Sequence, residues 1–259
     1  MRLKLLTFPV FALVLIGCAQ TQPRTDTTGP SRSVDPAAVE SLARDFEQVA
    51  FTDVRSGRTI ALERLRTPIY VQSEAPGLPH PGWADSVVLS IGSGSGVGIR
   101  SGRSNVAQEV FGGGFANGFY VDVVSDRRLA NIDAEWHAGG MLDTNVSAEA
   151  HLRRDDWPCL VTSFAEKGGR VVNFVAIRDS AASEQRNRCL SREILGFMGL
   201  HGAVTTPGSI FSDSRPAALP NARDLAMVRM LYDPRLEPEM TAAQARPLLP
   251  AVAADALAK

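Results

Sequence analysis

The sequence predicts an α+β fold, a single domain in which a mixed β-sheet packs against one central helix. Three observations point there. From Cys189 to Gly199, the residues Leu190, Ile194 and Phe197 recur at i, i+4 and i+7, the stripe of a helix laid on a core, and Gly199 supplies a C-terminal stop. Upstream, Leu160 to Phe164 and Val171 to Ile177 read as strands, with Lys167-Gly168-Gly169 as the hairpin signal between them. Downstream, Ala222 to Tyr232 carries Leu225, Val228, Leu231 and Tyr232 on one face, with Asn221 as N-cap and Asp233-Pro234 as terminator.

In chain order, residues 1–17 read as a leader. Arg2 and Lys4 form a short basic start, and Leu5 to Ile16 an apolar run interrupted by Pro9. That run is too short for a comfortable membrane span, which takes about 20 residues. Leu15-Ile16-Gly17-Cys18 matches a bacterial lipobox, implying cleavage before Cys18 and diacylation of its thiol. An ordinary signal peptide or a membrane anchor is the alternative. Ala19 stands where an inner-membrane retention signal favours Asp, so the expected location is the cell envelope, at the outer membrane facing the periplasm. Residues 18–36, rich in Thr, Ser, Pro and Gln, read as a lipidated Cys and a flexible tether. The folded domain is expected over 37–241, and Ala- and Pro-rich 242–259 as a loosely held tail.

Inside the domain, Pro36 to Val49 predicts a helix, with Val39, Leu42, Phe46 and Val49 at three- and four-residue steps and Asp35 as N-cap. Thr59 to Val71 predicts a strand pair or a bent strand. Residues 76–82, with three prolines and two glycines, predict a loop. Asp85 to Ile91 fits a strand or a helix. The following Gly92-Ser93-Gly94-Ser95-Gly96-Val97-Gly98 is no phosphate loop, because no Lys-Ser/Thr follows and the G-x-G-x-x-G spacing is absent. With Gly102 and Gly112-Gly113-Gly114 it reads as a flexible loop or insertion covering residues 92–118. Phe119 to Val124 and Asn131 to Trp136 alternate like strands around a turn at Ser125-Asp126.

Composition narrows the function. The formal charge is −1, and removing Arg2 and Lys4 with the leader takes it to about −3 with no basic block. Nothing argues for nucleic acid, and membrane association is expected through the lipid on Cys18. With Cys18 lipidated, Cys159 and Cys189 remain. In an oxidising periplasm an isolated pair forms a disulfide, worth about 3 kcal/mol on the chain-entropy model. A nucleophilic Cys or half a metal site is the alternative.

The helix around Cys189 also resembles a known one. Zinc peptidases of the metzincin kind carry H-E-x-x-H-x-x-G-x-x-H, with two His one turn apart on zinc and the Glu acting on bound water. On that pattern Glu193 stands at the catalytic Glu and Gly199 at the glycine, but Arg192 and Gly196 replace the first two His. The third His position falls on Gly202, one residue past His201, and Phe211 takes the place of the Met-turn Met. The segment resembles a zincin-like domain without its zinc ligands. Further motifs are Arg192-Glu193-Ile194-Leu195-Gly196-Phe197-Met198-Gly199-Leu200, Ser209-Ile210-Phe211-Ser212-Asp213 and Leu231-Tyr232-Asp233-Pro234-Arg235-Leu236-Glu237-Pro238-Glu239-Met240, with weaker matches upstream at Leu65-Arg66-Thr67-Pro68-Ile69 and Ala130-Asn131-Ile132. On these, over residues 37–241, the chain more closely resembles a bacterial family of secreted proteins known as domain of unknown function 2927.

Candidate chemistry is therefore sparse. Glu193 is the candidate general base, with an ion pair to Arg192 or Arg188 as the structural alternative. Arg192, Gly196 and His201 are the candidate binding residues around it; His201 is also expected at the helix C-terminus, where a cation suits the dipole. His80, His137, His151 and His201 show no short ligand spacing. Asp122, Asp126, Asp133, Asp155 and Asp156 form no paired-acid motif and are read as solvated, and Asp213 and Asp233 as turn and cap residues. No cofactor and no metal are expected. The sequence points to an envelope lipoprotein that uses a zincin-like scaffold to bind a peptide or protein partner. The rival is a divergent hydrolase or metallopeptidase acting on envelope peptides with Glu193 as base.

Overall fold

The computed structural model describes residues 34–54, 56–75, 82–102, 118–140, 143, 145–165, 171–214 and 216–259, within the compact unit Val34–Lys259. The lipobox with Cys18, the tether up to residue 33, the triple-glycine segment, His80 and the Lys167 hairpin turn lie outside the described residues.

Helix α1 (Pro36–Phe51) starts as its sequence dictates, with the Asp35 carboxylate accepting the Ala37 N–H at 3.0 Å and Pro36 in the first turn. Its Leu42, Phe46 and Val49 stripe is fully buried. Strands β1 (Thr52–Asp53) and β2 (Arg58–Thr59) form a short antiparallel ribbon. Strand β3 (Ile69–Glu74) takes only the second half of the expected bent strand.

Residues 85–91 belong to helix α2 (Gly82–Ser95). Ala84, Val87, Val88, Ile91, Gly92 and Ser95 are all buried, at steps of three and four, so the helical period decides what the Val87-Val88-Leu89 run leaves open. The helix extends to Ser95, correcting the loop expected from residue 92. The hydroxyls of Ser93 and Ser95 donate to the Leu89 and Ile91 carbonyls within the helix. Gly94 has a packing reason: a Cβ there would sit 2.5 Å from Leu225 Cδ1.

Strand β4 (Ile99–Gly102) and strand β5 (Gly118–Val124) follow, then helices α3 (Asp126–Leu129), α4 (Ile132–Ala138) and α5 (Ala148–Leu152). The strand expected at Asn131 to Trp136 is thus a helix. Ile132 and Trp136, one turn apart, are both buried, and the Trp136 ring meets Phe174 edge-on at 5.2 Å. Strands β6 (Cys159–Ala165) and β7 (Val171–Arg178) pair antiparallel, and helix α6 (Ser183–Met198) and helix α7 (Ala222–Leu231) come next.

The chain ends in helices α8 (Ala242–Ala245) and α9 (Leu249–Leu257), which corrects the expected loose tail. Leu249, Val252, Ala253 and Ala256 are buried in the main core, and Thr241 and Gln244 cap α8 reciprocally. Alanine richness here serves close helix packing.

The five-stranded sheet runs β4-β3-β5-β7-β6, parallel except for β6 at one edge. The architecture is mixed α/β with a mixed sheet. Alternation along β7 assigns the faces: Val175 and Ile177 enter the large core with α1, α2, α6, α7 and α9, while Ala176 and Phe174 face the smaller cluster under α3, α4 and α5. Asp122, expected to be solvated, is buried instead and holds the Arg128 guanidinium at 2.6 Å; Arg128 also binds Glu135 and draws its carboxyl pKa down.

A chain ending at Met240 strips this core of the α9 side chains and should lose more than about 4 kcal/mol of stability by urea unfolding. An unchanged urea midpoint would show that α9 is dispensable.

Candidate functional site

Helix α6 positions the site. It begins at Ser183, ahead of the expected start, and an Arg188–Glu184 ion pair at 2.7 Å staples its first turns. Its inward face is Leu190, Ser191, Ile194, Leu195 and Met198. Phe197, expected on that stripe, packs against the main core, is half-buried and also lines a cleft.

The helix stops at Gly199, with φ +120° and its N–H on the Gly196 carbonyl at 2.9 Å. A Cβ on Gly199 would run into the Glu63 carbonyl. Three residues on, the Gly202 N–H donates to the Val49 carbonyl at 2.8 Å, and a Cβ at 202 would strike the carbonyl of Gln48 at the end of α1. The turn after α6 is therefore pressed between α1 and the Glu63 segment, and position 202 admits no side chain.

Arg192 reaches along the helix to this turn. Its guanidinium donates to the carbonyls of Leu200 at 2.9 Å, His201 at 2.9 Å and Gly202 at 2.6 Å, and lies 4.8 Å above the Phe211 ring. Charge-assisted donors and cation–π stacking together hold the turn against the segment carrying Phe211. That segment has its own anchor. The fully buried Asp224 carboxylate accepts the Ser209 hydroxyl at 2.5 Å, the Ile210 N–H at 3.0 Å and the Asn221 N–H at 2.9 Å, and so caps α7 while fixing the turn. Burial pushes the Asp224 pKa up, opposed by these donors.

Between α6, β6, the 200–203 turn, the 210–216 segment and β1 lies an open cleft of about 690 Å³. Arg192, Glu193, Gly196 and His201 all line it, so the candidate residues come together. Trp157, Val161, Asp53, Ile60 and Glu63 complete its walls from distant parts of the chain. Glu63 stands 3.7 Å from His201 Nε2. No short-range pattern marked these residues; only the fold brings them in.

Cys159, the first residue of β6, and Cys189 on α6 are both buried, with Cα atoms 6.3 Å apart, at disulfide distance. The pair joins the strand and the helix that flank the cleft. His137 and His151 bond the Val146 and Ser147 carbonyls at 3.0 and 2.9 Å, in the α4–α5 region. Among the described residues no group of three His, Cys, Asp or Glu is arranged to hold a metal ion. The donor set at the zincin ligand positions does not fit zinc: a cationic guanidinium bound to carbonyls, a glycine, and a glycine with no room for a side chain.

The family model described as "Protein of unknown function (DUF2927)" matches residues 39–251. The chain belongs to this family. The DUF2927 match runs from α1 into α9, past residue 241, and includes every residue of the cleft. No curated protein and no solved structure matches the chain.

Removing the guanidinium with Arg192→Met strands three carbonyls and should lower stability by about 2–4 kcal/mol, with faster amide exchange at 200–204 by mass spectrometry. A variant as stable as the parent would deny Arg192 this role. Independently, Cys159→Ala with Cys189→Ala should cost about 3 kcal/mol in a non-reducing urea titration, and an equal midpoint for the two proteins would refute a stabilising bridge.

Proposed function

We propose that this DUF2927 protein is a non-catalytic envelope lipoprotein, anchored in the outer membrane through acyl chains on Cys18, that binds an extended segment of a peptide or protein partner in the cleft beside α6. The observation that carries the reading is the edge of β6. Among the described residues β6 pairs only with β7, and its other edge borders the cleft through Val161 and the preceding Trp157. The outer strand of the sheet, next to an open, partly apolar cleft, suits strand addition: main-chain hydrogen bonds supply affinity and alternate side chains enter the cleft.

The zincin-like reading is supported by the sheet lying against α6 and by Glu193 lining the cleft at the position of a catalytic Glu. Loss of the chemistry is supported by what occupies the ligand positions, since Arg192 now binds carbonyls and position 202 has no space. Anchorage by lipid accords with the lipobox; no helix among the described residues is long and apolar enough to cross a membrane. The near-neutral charge without a basic block favours no nucleic acid.

A second reading, a divergent hydrolase with Glu193 as general base, draws on Glu193 and His201 sharing one cleft. It predicts cleavage of a broad peptide library that Glu193→Gln abolishes.

The binding reading is tested by panning a random peptide display library on the soluble domain. Selected peptides should bind the parent and lose at least about tenfold in affinity to Val161→Arg, measured well below the melting temperature of each protein. A library that yields no binder, or only binders indifferent to Val161→Arg, refutes it.

A further inference from the structure

Three glycines stand at or near the cleft, and two have reasons inside the chain. Gly199 has a left-handed backbone and the Glu63 carbonyl beside it; Gly202 abuts Gln48. Gly196 has neither. Its φ is helical, it lies within α6, and a Cβ built there meets no described residue within 4 Å. Glycine inside a helix is less favourable than alanine, and among the described residues no packing contact repays that here. The space over Gly196 is cleft.

On the helix surface, residues three and four apart are neighbours, so the gap at Gly196 is bordered by Arg192 and Glu193 one turn earlier. Arg192 is drawn off towards Phe211 and the 200–202 carbonyls, which leaves the gap open. Apolar Trp157, Val161 and Phe197 line the same cleft. A gap in a helix face that opens on a partly apolar cleft takes a side chain.

We propose that Gly196 is a specificity-determining contact: one bulky side chain of the bound peptide, aromatic or branched aliphatic, lodges in the hole it leaves on α6. This rests on the peptide-binding reading above and adds which part of the partner the helix reads. A strand added to β6 presents alternate side chains towards the α6 layer, so one of them meets the helix at this gap.

The test is a bump-and-hole series on peptides whose binding depends on Val161. Gly196→Ala should raise the melting temperature by a few degrees while weakening the peptide about tenfold. Gly196→Leu should weaken it further, and truncating the peptide's anchor residue to Ala should recover affinity for Gly196→Leu while losing it for the parent. Recovery by a smaller peptide is a readout that a merely structural role for Gly196 does not give. If Gly196→Ala lowers the melting temperature, or if Val161-dependent peptides bind Gly196→Leu at parental affinity, this proposal falls and the peptide-binding reading stands. If no Val161-dependent peptide exists, both fall together.

Discussion

The guanidinium of Arg192 is the contact on which the cleft depends. One side chain on α6 gathers three consecutive carbonyls of the turn that follows the helix and stacks on Phe211 from a segment held separately by Asp224. Backbone carbonyls that point together repel one another, and a delocalised cation with five donors in a fixed fork suits them better than an ammonium would. Helix, turn and Phe211 segment thus form one rigid wall, and the cleft is the space this wall leaves against β6. A single organic cation here does the organising work that a bound metal ion does when several side chains converge on it.

The surrounding structure serves that wall. Gly199 and Gly202 let the turn approach the Glu63 segment and α1 more closely than any side chain permits. The Cys159–Cys189 pair fixes the start of β6 to α6, so strand and helix keep their spacing although among the described residues β6 pairs only with β7. Helix α9 closes the core over α1 and α7, behind the cleft. Stability is concentrated in the scaffold, while Val54, just after β1, is exposed at the cleft and Gly196 lies on its wall.

Much of this was legible in the sequence wherever one period dominated. Helix α1 was marked by its cap and stripe, α7 by its Asn221 cap, and β6 and β7 by β-branched and aromatic runs. Helix α4 was misread because Ile132 and Trp136 satisfy both a two-residue and a four-residue spacing, and only burial against Phe174 chooses between them. The end of α2 was hidden by Gly and Ser, whose low helix propensity is overridden by close packing on Leu225. The C-terminal helices were hidden by alanine, which carries a weak periodic signal but packs tightly. In the candidate site, Arg192, Glu193, Gly196 and His201 could be found because they lie within ten residues on one helix and its turn. Glu63, Asp53, Trp157 and Val161 could not, since no local pattern encodes a contact made across so much chain.

We propose that Arg192, rather than a metal ion, organises the cleft. Elemental mass spectrometry of the soluble domain, purified without affinity tag or chelator, tests it most directly when paired with thermal unfolding in the presence and absence of a chelator. The account predicts no stoichiometric metal and a melting temperature indifferent to the chelator. About one zinc per chain, with stability lost when it is removed, would contradict it.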